Sequence, residues 1–348
     1  MTEHKTIDPR GHMATSPWQM PLQAWKDIAA RTYTRTWDDN VGLVAAGVAF
    51  YGFFALLSLL ALIVLAYGIV ADPLTVVQHM RRLIGILPAD VVVLVGDQLL
   101  TSVHASQEAR GFGIGLAILG ALYGGTNGAA SILTALNIAY EEKEKRSLAR
   151  FYLIAIGMTV TALCLALAAI AAGAAVAFLQ AKLPQASSVM VFAGKLVGYA
   201  VLILVASAIA AILYRFGPSR ERARWTWITP GSLFAAVTWL LLTLAFTFYV
   251  SRLTSYSATY GSLGAVAALL TWLYVSAYAF CFGAELNSEI EHQTAHDSTT
   301  GEPQPMGERG AWAADNLATS DEVEDRPEEA REGEKLTAAA PEIADKDD

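Results

Sequence analysis

Few side chains in this sequence could do chemistry, and most of those that could lie inside or at the ends of long apolar runs. Thr126 and Asn127 sit in the middle of one run, Asn137 and Tyr140 lie near its end, and Glu285, Asn287 and Glu289 close another. A polar group at membrane depth is costly, so it marks either an interhelical hydrogen bond or a path for substrate or ions. Both readings are open for the asparagines. Glu285 stands just past its charge-free run. It is either a solvated or arginine-paired interfacial carboxylate, or an acidic group facing a cytoplasmic vestibule opposite Arg215 or Arg220. Trp239, Trp272, Tyr274 and Tyr278 lie deep, and Tyr260 lies toward an outer end; such rings pack against lipid and helices or line the way of an amphiphile. The candidate substrate path is therefore Asn127, Asn137, Tyr140, Tyr260, Trp272, Glu285 and Asn287.

Constellations for catalysis are absent from the string. The six histidines are scattered over the tails and one loop. His292 and His296 are four apart but lack the carboxylate spacing and third ligand of a metal site. Cys164 and Cys281 fall in different apolar runs, where they suit small buried apolar roles better than a disulfide or a nucleophile. There is no phosphate-binding GxxxxGK[ST] and no GxGxxG. No catalytic residue, metal ligand or cofactor is assigned, and the chain reads as a non-enzyme.

The elements that must carry these residues follow from composition. Of 348 residues, 54% are hydrophobic and only 16% are charged, against about 25% charged in a soluble domain. The net charge of −8 divides unevenly. From Glu285 onward there are 19 acidic and 5 basic residues, a net of −14, while the preceding body holds 13 acidic and 19 basic residues, a net of +6. An apolar, mildly basic body with an acidic tail excludes a simple globular enzyme, a secreted disulfide scaffold and a basic nucleic-acid binder.

Six runs without Asp, Glu, Lys or Arg are each long enough to cross a hydrocarbon core as helix, which takes about 20 residues. They are apolar on every side, unlike the alternating strands of a barrel. The expected fold is all-α and polytopic, with spans at about 42–70, 112–138, 152–179, 193–214, 229–250 and 262–284. No signal peptide is visible, so the first run reads as a retained anchor. Lys and Arg crowd into the N-terminal stretch and the loops after the second and fourth spans, which places both termini in the cytoplasm.

Flanking elements complete the picture. Residues 1–40 hold an amphipathic helix suited to the membrane interface, with Trp18, Leu22, Trp25, Ile28, Tyr33 and Trp37 recurring opposite Lys26, Arg31 and Arg35. Residues 73–109 read as an external cap of two short helices. The tail 293–348, rich in Glu, Asp, Ala, Pro and Gly, is expected to be disordered. Gly120, Gly124 and Gly128 form two overlapping GxxxG steps, a helix-packing face, for which the alanine-dense third span is the natural partner.

The ordered motifs Ala45-Ala46-Gly47-Val48-Ala49-Phe50-Tyr51, Leu136-Asn137-Ile138-Ala139-Tyr140, Gly217-Pro218, Thr229-Pro230-Gly231, Tyr260-Gly261-Ser262-Leu263-Gly264, Trp272-Leu273-Tyr274 and Gly283-Ala284-Glu285-Leu286-Asn287 resemble the YihY/virulence-factor-BrkB family over about residues 40–293. The chain departs at Ser58, where the family carries proline. The resemblance implies a six-span bacterial inner-membrane protein, and it brings labels of virulence factor and permease. An older label, ribonuclease BN, also travels with the family and finds no catalytic support in this string.

The leading expectation is a transporter or permease of a lipid or other amphiphile in the bacterial inner membrane. The alternative is a non-transporting scaffold for cell-envelope proteins. Partners on either view are membrane lipids, a second copy or envelope proteins, and not nucleic acid.

Overall fold

The computed structural model describes residues 10–70, 107–162, 164, 188–252 and 262–318. A short 3-10 turn, Pro17–Gln19, leads into α1 (Leu22–Asp38), α2 (Val41–Val70), α3 (Gln107–Ala139), α4 (Leu148–Ala162), α5 (Ser188–Phe216), α6 (Trp225–Arg252), α7 (Ser262–His292) and a one-turn α8 (Trp312–Asp315). Five of these, α2, α3, α5, α6 and α7, are long and apolar enough to cross a membrane. In lipid the backbone must satisfy its own hydrogen bonds, and helices do so. The chain is therefore a multi-pass helical membrane protein.

The expected third span, 152–179, is described only as far as α4 reaches. The expected cap, 73–109, lies outside the described residues except at its end, where α3 already begins at Gln107. Tyr260 also lies outside them.

Two corners in left-handed backbone set the helix order at one end of the bundle. Asn40 (φ 50°) turns α1 into α2, and Glu141 (φ 54°) ends α3. Asn adopts this conformation readily, whereas a glutamate there carries steric strain. The α3 end closes with two backbone bonds, Glu142 N–H to Asn137 O at 2.7 Å and Glu141 N–H to Ile138 O at 2.8 Å. This is the paired pattern of a Schellman cap. It throws the Glu141 and Glu142 side chains back over the helix ends.

The glycine ridge of α3 packs on α2. A Cβ at Gly124 would stand 2.7 Å from Ala55 N, one at Gly120 would stand 2.7 Å from Ser58 Oγ, and Gly128 faces Tyr51 and Gly52. Ser58 thus lies against a glycine. The alanine-dense residues 166–175, expected opposite the ridge, are outside the described residues. Thr159 of α4 instead meets the neighbouring Gly125.

Burial is concentrated at the end where residues 10–40, 140–147, 217–224 and 285–318 gather, here called the polar end. Leu136, Ala139, Tyr140, Ala210, Tyr214, Ile228 and Ala284 form one core there, and Ile28, Trp227 and Ile290 form another. Away from it, large apolar side chains such as Phe54, Leu119, Leu204 and Phe248 stay exposed on the helix surfaces, as a lipid solvent allows.

Two expectations change here. Residues 293–318 are folded, so the disordered tail cannot begin at 293. Ala295 N–H bonds His12 O at 2.8 Å, Thr294 Oγ1 bonds Ala14 O at 2.7 Å, and Thr299 forms an antiparallel bridge with Ala223. The segment holds because its polar atoms find backbone partners. Arg309, for one, donates to Ala314 O at 2.6 Å and Ala295 O at 2.8 Å. Second, α1 does not present Arg31 and Arg35 to solvent. Its inner face buries Ala24, Ile28, Arg31, Thr32 and Thr36, while Trp18, Leu22, Tyr33 and Trp37 are left exposed. The buried carboxylate Glu289 of α7 is what draws Arg31 inward.

Candidate functional site

The polar end brings four of the expected path residues together: Asn137, Tyr140, Glu285 and Asn287, all buried. Asn127 and Trp272 are elsewhere along the helices. Asn127 Nδ2 donates to Tyr123 O of its own helix at 2.8 Å, and Trp272 Nε1 donates to Thr243 Oγ1 of α6 at 3.3 Å.

Each asparagine of the cluster holds two elements in register. Asn137 donates to Glu144 Oε2 and accepts from Ser219 N–H, both at 2.8 Å, so it brackets the loops after α3 and α5. Glu144 is held well below the ordinary carboxylate range, at about 2. The forked hydrogen bond from Arg146 is the largest cause, and partial burial works against it. Asn287 sits beside Pro230, the proline inside α6. It accepts from Gly231 N–H at 2.8 Å and donates to Ile228 O at 2.9 Å. Proline disrupts the helical ladder around it, and the Asn287 amide supplies partners from the next helix.

Ion pairs close the end over these groups. Arg31 Nε lies 2.6 Å from Glu289 Oε2, and its Nη2 donates to Gln293 Oε1 at 2.6 Å. Arg35 pairs with Glu141, lies 3.6 Å from Glu289 and sits under the Trp312 ring. Trp312 N–H donates to Glu142 Oε1 at 2.7 Å, which ties the C-terminal segment to the end of α3. Arg220 grips Glu291 through both Nη atoms, at 2.7 and 3.1 Å, with both side chains fully buried. Burial works against the Arg220 charge, but the Glu291 carboxylate outweighs it and pushes the guanidinium pKa up.

Arg220 is thus engaged by Glu291, and Arg215 by an aromatic ring. Arg215 lies 4.4 Å over the Trp225 ring, and its Nε and Nη1 are buried without a hydrogen-bond partner among the described residues. Arg222 stacks on the adjoining Phe216 at 5.1 Å. Glu285 is 1% exposed, and its Oε1 has no hydrogen-bond partner among the described residues. Tyr140 Oη approaches the Asn287 side chain but makes no well-formed hydrogen bond among the described residues, and the Arg220 guanidinium lies 4.1 Å over its ring. The group that Glu285 does meet is Asp39, at the α1–α2 corner. Burial, then the nearby Glu141 carboxylate, raises Asp39 to about 6 against the pull of Arg35.

Asp39, Glu141 and Glu291 were not singled out from the sequence. A signal was present in the matched spacing of Arg31 and Arg35 on α1 with Glu285 and Glu289 on α7. Residues four apart share a helix face, so each helix offers a two-rung charged ladder. Among the described residues no three His, Cys, Asp or Glu side chains are grouped to hold a metal ion.

Comparison with known proteins places these motifs among relatives. The profile of the family described as Virulence factor BrkB matches residues 32–307. A Bacillus subtilis (strain 168) protein with a ribonuclease-like name, YfkH, is 30% identical over 189 residues, covering 53% of this chain and 68% of its own length. A UPF0761 membrane protein of Pseudoalteromonas translucida is 32% identical over 87 residues, 25% of this chain and 29% of that one. Another, from Rhodospirillum centenum, is 25% identical over 305 residues, 85% of this chain and 64% of the relative. The chain thus spans less than two thirds of the length of either UPF0761 relative. No solved structure matches it.

Proposed function

The chain belongs to the virulence factor BrkB family, and from that premise we propose a permease that moves a lipid or other amphiphile across a bacterial inner membrane. On this reading both termini and the polar end are cytoplasmic, and the conformation is sealed on that side. One observation carries it: beside the ion pairs of the polar end, buried polar atoms, Tyr140 Oη and Glu285 Oε1 among them, have no hydrogen-bond partner among the described residues. Unsatisfied polar atoms inside a membrane protein are expensive and mark function more often than packing. Arg215 and Arg222, stacked on Trp225 and Phe216 at the same end, add a cationic and aromatic rim of the kind that receives an anionic headgroup. We read the chain as a non-enzyme, and the ribonuclease-like name stays with the Bacillus relative.

The test uses the full chain in sealed liposomes carrying labelled phospholipid in one leaflet. Wild-type protein is expected to speed loss of leaflet asymmetry over protein-free liposomes, and Glu285→Gln is expected to slow it. Folded, inserted wild type that moves no label overturns the lipid reading. Normal transport with Glu285→Gln detaches Glu285 from the path.

A further inference from the structure

Among the described residues of the polar end, two carboxyl groups, Asp39 and Glu285, keep a buried oxygen that no hydrogen bond or ion pair serves. Glu289 takes Arg31 and Glu141 takes Arg35, with Arg35 also near Glu289. Glu291 takes Arg220. Arg31 meets Glu289 and Gln293, and Arg35 lies 3.6 Å from Glu289, so α1 and α7 run antiparallel; four residues on from Arg35 and four back from Glu289, Asp39 and Glu285 come together as direct neighbours. Asp39 Oδ2 and Glu285 Oε1 are both buried, and no donor among the described residues serves either atom. Two ionised carboxylates have only acceptors to offer, so this contact is a hydrogen bond only if a proton lies between them. A carboxylate dyad of this kind holds one proton because like charges so close cannot both ionise.

We infer that Asp39 and Glu285 form a proton-binding site in which one shared proton ties the α1–α2 corner to the end of α7. The charged surroundings favour the proton. Asp38 adjoins Asp39 in the same corner, Glu141 approaches from the end of α3, and Glu289 stands one turn along α7. Arg35 is the cation that opposes them, and it is already engaged by Glu141. Arg31 and His292 reach Glu289 instead of the dyad, His292 Nδ1 standing 3.5 Å away. The thiol of Cys281, one turn back on α7, and the Tyr140 phenol are neutral neighbours. Asp39 is half-buried and Glu285 fully so, which gives the proton a route to water through Asp39. Its loss leaves two facing carboxylates beside Glu141 and Glu289, a repulsion that pushes the end of α7 away from the α1–α2 corner.

The proton site stands without the permease reading. Its role as the coupling ion of transport rests on that reading, and the two are tested by different readouts. Infrared titration of the full chain in lipid nanodiscs reads the carbonyl stretch of protonated carboxyls directly. Wild type is expected to keep one protonated carboxyl well above the ordinary carboxylate range, about pH 4, and to lose it as pH rises further. Glu285→Gln and Asp39→Asn are each expected to abolish that step, and Asp39→Glu to retain it. No such carboxyl in the wild type overturns the proposal and needs no variant to do so. A carboxyl that persists unchanged in both amide variants assigns the proton elsewhere and overturns it as well. A dyad that titrates in a protein moving no lipid leaves the site standing and removes the transport role.

Discussion

Gly231 of α6 and Gly283 of α7 touch backbone to backbone. A Cβ added at Gly283 would lie 2.8 Å from Gly231 O, 2.6 Å from Ala235 Cβ and 2.8 Å from Tyr214 Oη, so three helices meet at this point. Small residues permit such an approach, and close packing is what associates helices in lipid. Gly283→Ala is therefore expected to destabilise the protein by about 1–3 kcal/mol, the usual cost of overpacking. Gly47→Ala on α2 has no atom within 4 Å of the new Cβ and gains about 1 kcal/mol of helix propensity. Thermal unfolding in detergent, followed by size-exclusion fluorescence, separates them. Equal melting temperatures for the two variants would mean that the α6–α7 crossing is not closely packed.

Asn287 completes the same crossing by serving Gly231 N–H and Ile228 O beside Pro230. Asn287→Leu keeps the bulk and strands both backbone groups, with a loss of about 0.6–1.7 kcal/mol, the range of interhelical hydrogen bonds in membranes. Pro230→Ala straightens the ladder and lessens the need for the bridge. In the double variant the loss from Asn287→Leu is expected to shrink, and a double-mutant cycle on unfolding reads the coupling. Strict additivity would make Asn287 indifferent to the proline.

The class of fold was legible because charge-free runs of more than 20 residues leave few alternatives to spanning helices. The assembly of the site was not. Asn137 and Asn287 stood out in the sequence, but the partners that define them, Ser219 N–H in the loop after α5 and Gly231 N–H on α6, are backbone groups far along the chain, which no residue pattern displays. Glu285 was legible as the acidic group at a span end. Its real neighbour, Asp39, was hidden because the left-handed corner at Asn40 folds α1 back over the bundle. The tail misled through composition. Its first part is polar, yet Thr294, Ser298 and Arg309 find backbone and carboxylate partners there, and low hydrophobicity says nothing of such bonds.

The Arg31–Glu289 pair is buried on both sides, at 8% and 3% side-chain exposure. Removing one partner of such a pair leaves an uncompensated charge and costs about 3–5 kcal/mol. Arg31→Gln and Glu289→Gln are each expected to lower the melting temperature sharply, with little relief from added salt, since buried pairs are weakly screened. Joining the two substitutions is expected to recover part of the loss. A double variant as unstable as the sum of the singles would show that the charges act on other partners.

Stability against pH has two limbs of opposite sign at the polar end. Glu144 has a folded pKa of about 2 against an ordinary 4.5, so its contribution is present above 4.5 and is lost as pH falls toward 2. Asp39 is shifted the other way, to about 6 from an ordinary 3.8. Its protonated form is favoured by folding, so that contribution is full below 3.8 and is lost as pH rises through about 6. Melting temperatures recorded across this interval are expected to fall with rising pH on the upper limb in the wild type. Asp39→Asn should flatten that limb and leave the acid limb alone, while Glu144→Gln should do the reverse. A wild-type curve that climbs between pH 3.8 and 6 would invert the sign assigned to Asp39 and separate it from Glu285, because a carboxylate strengthened by its surroundings has no reason to retain a proton.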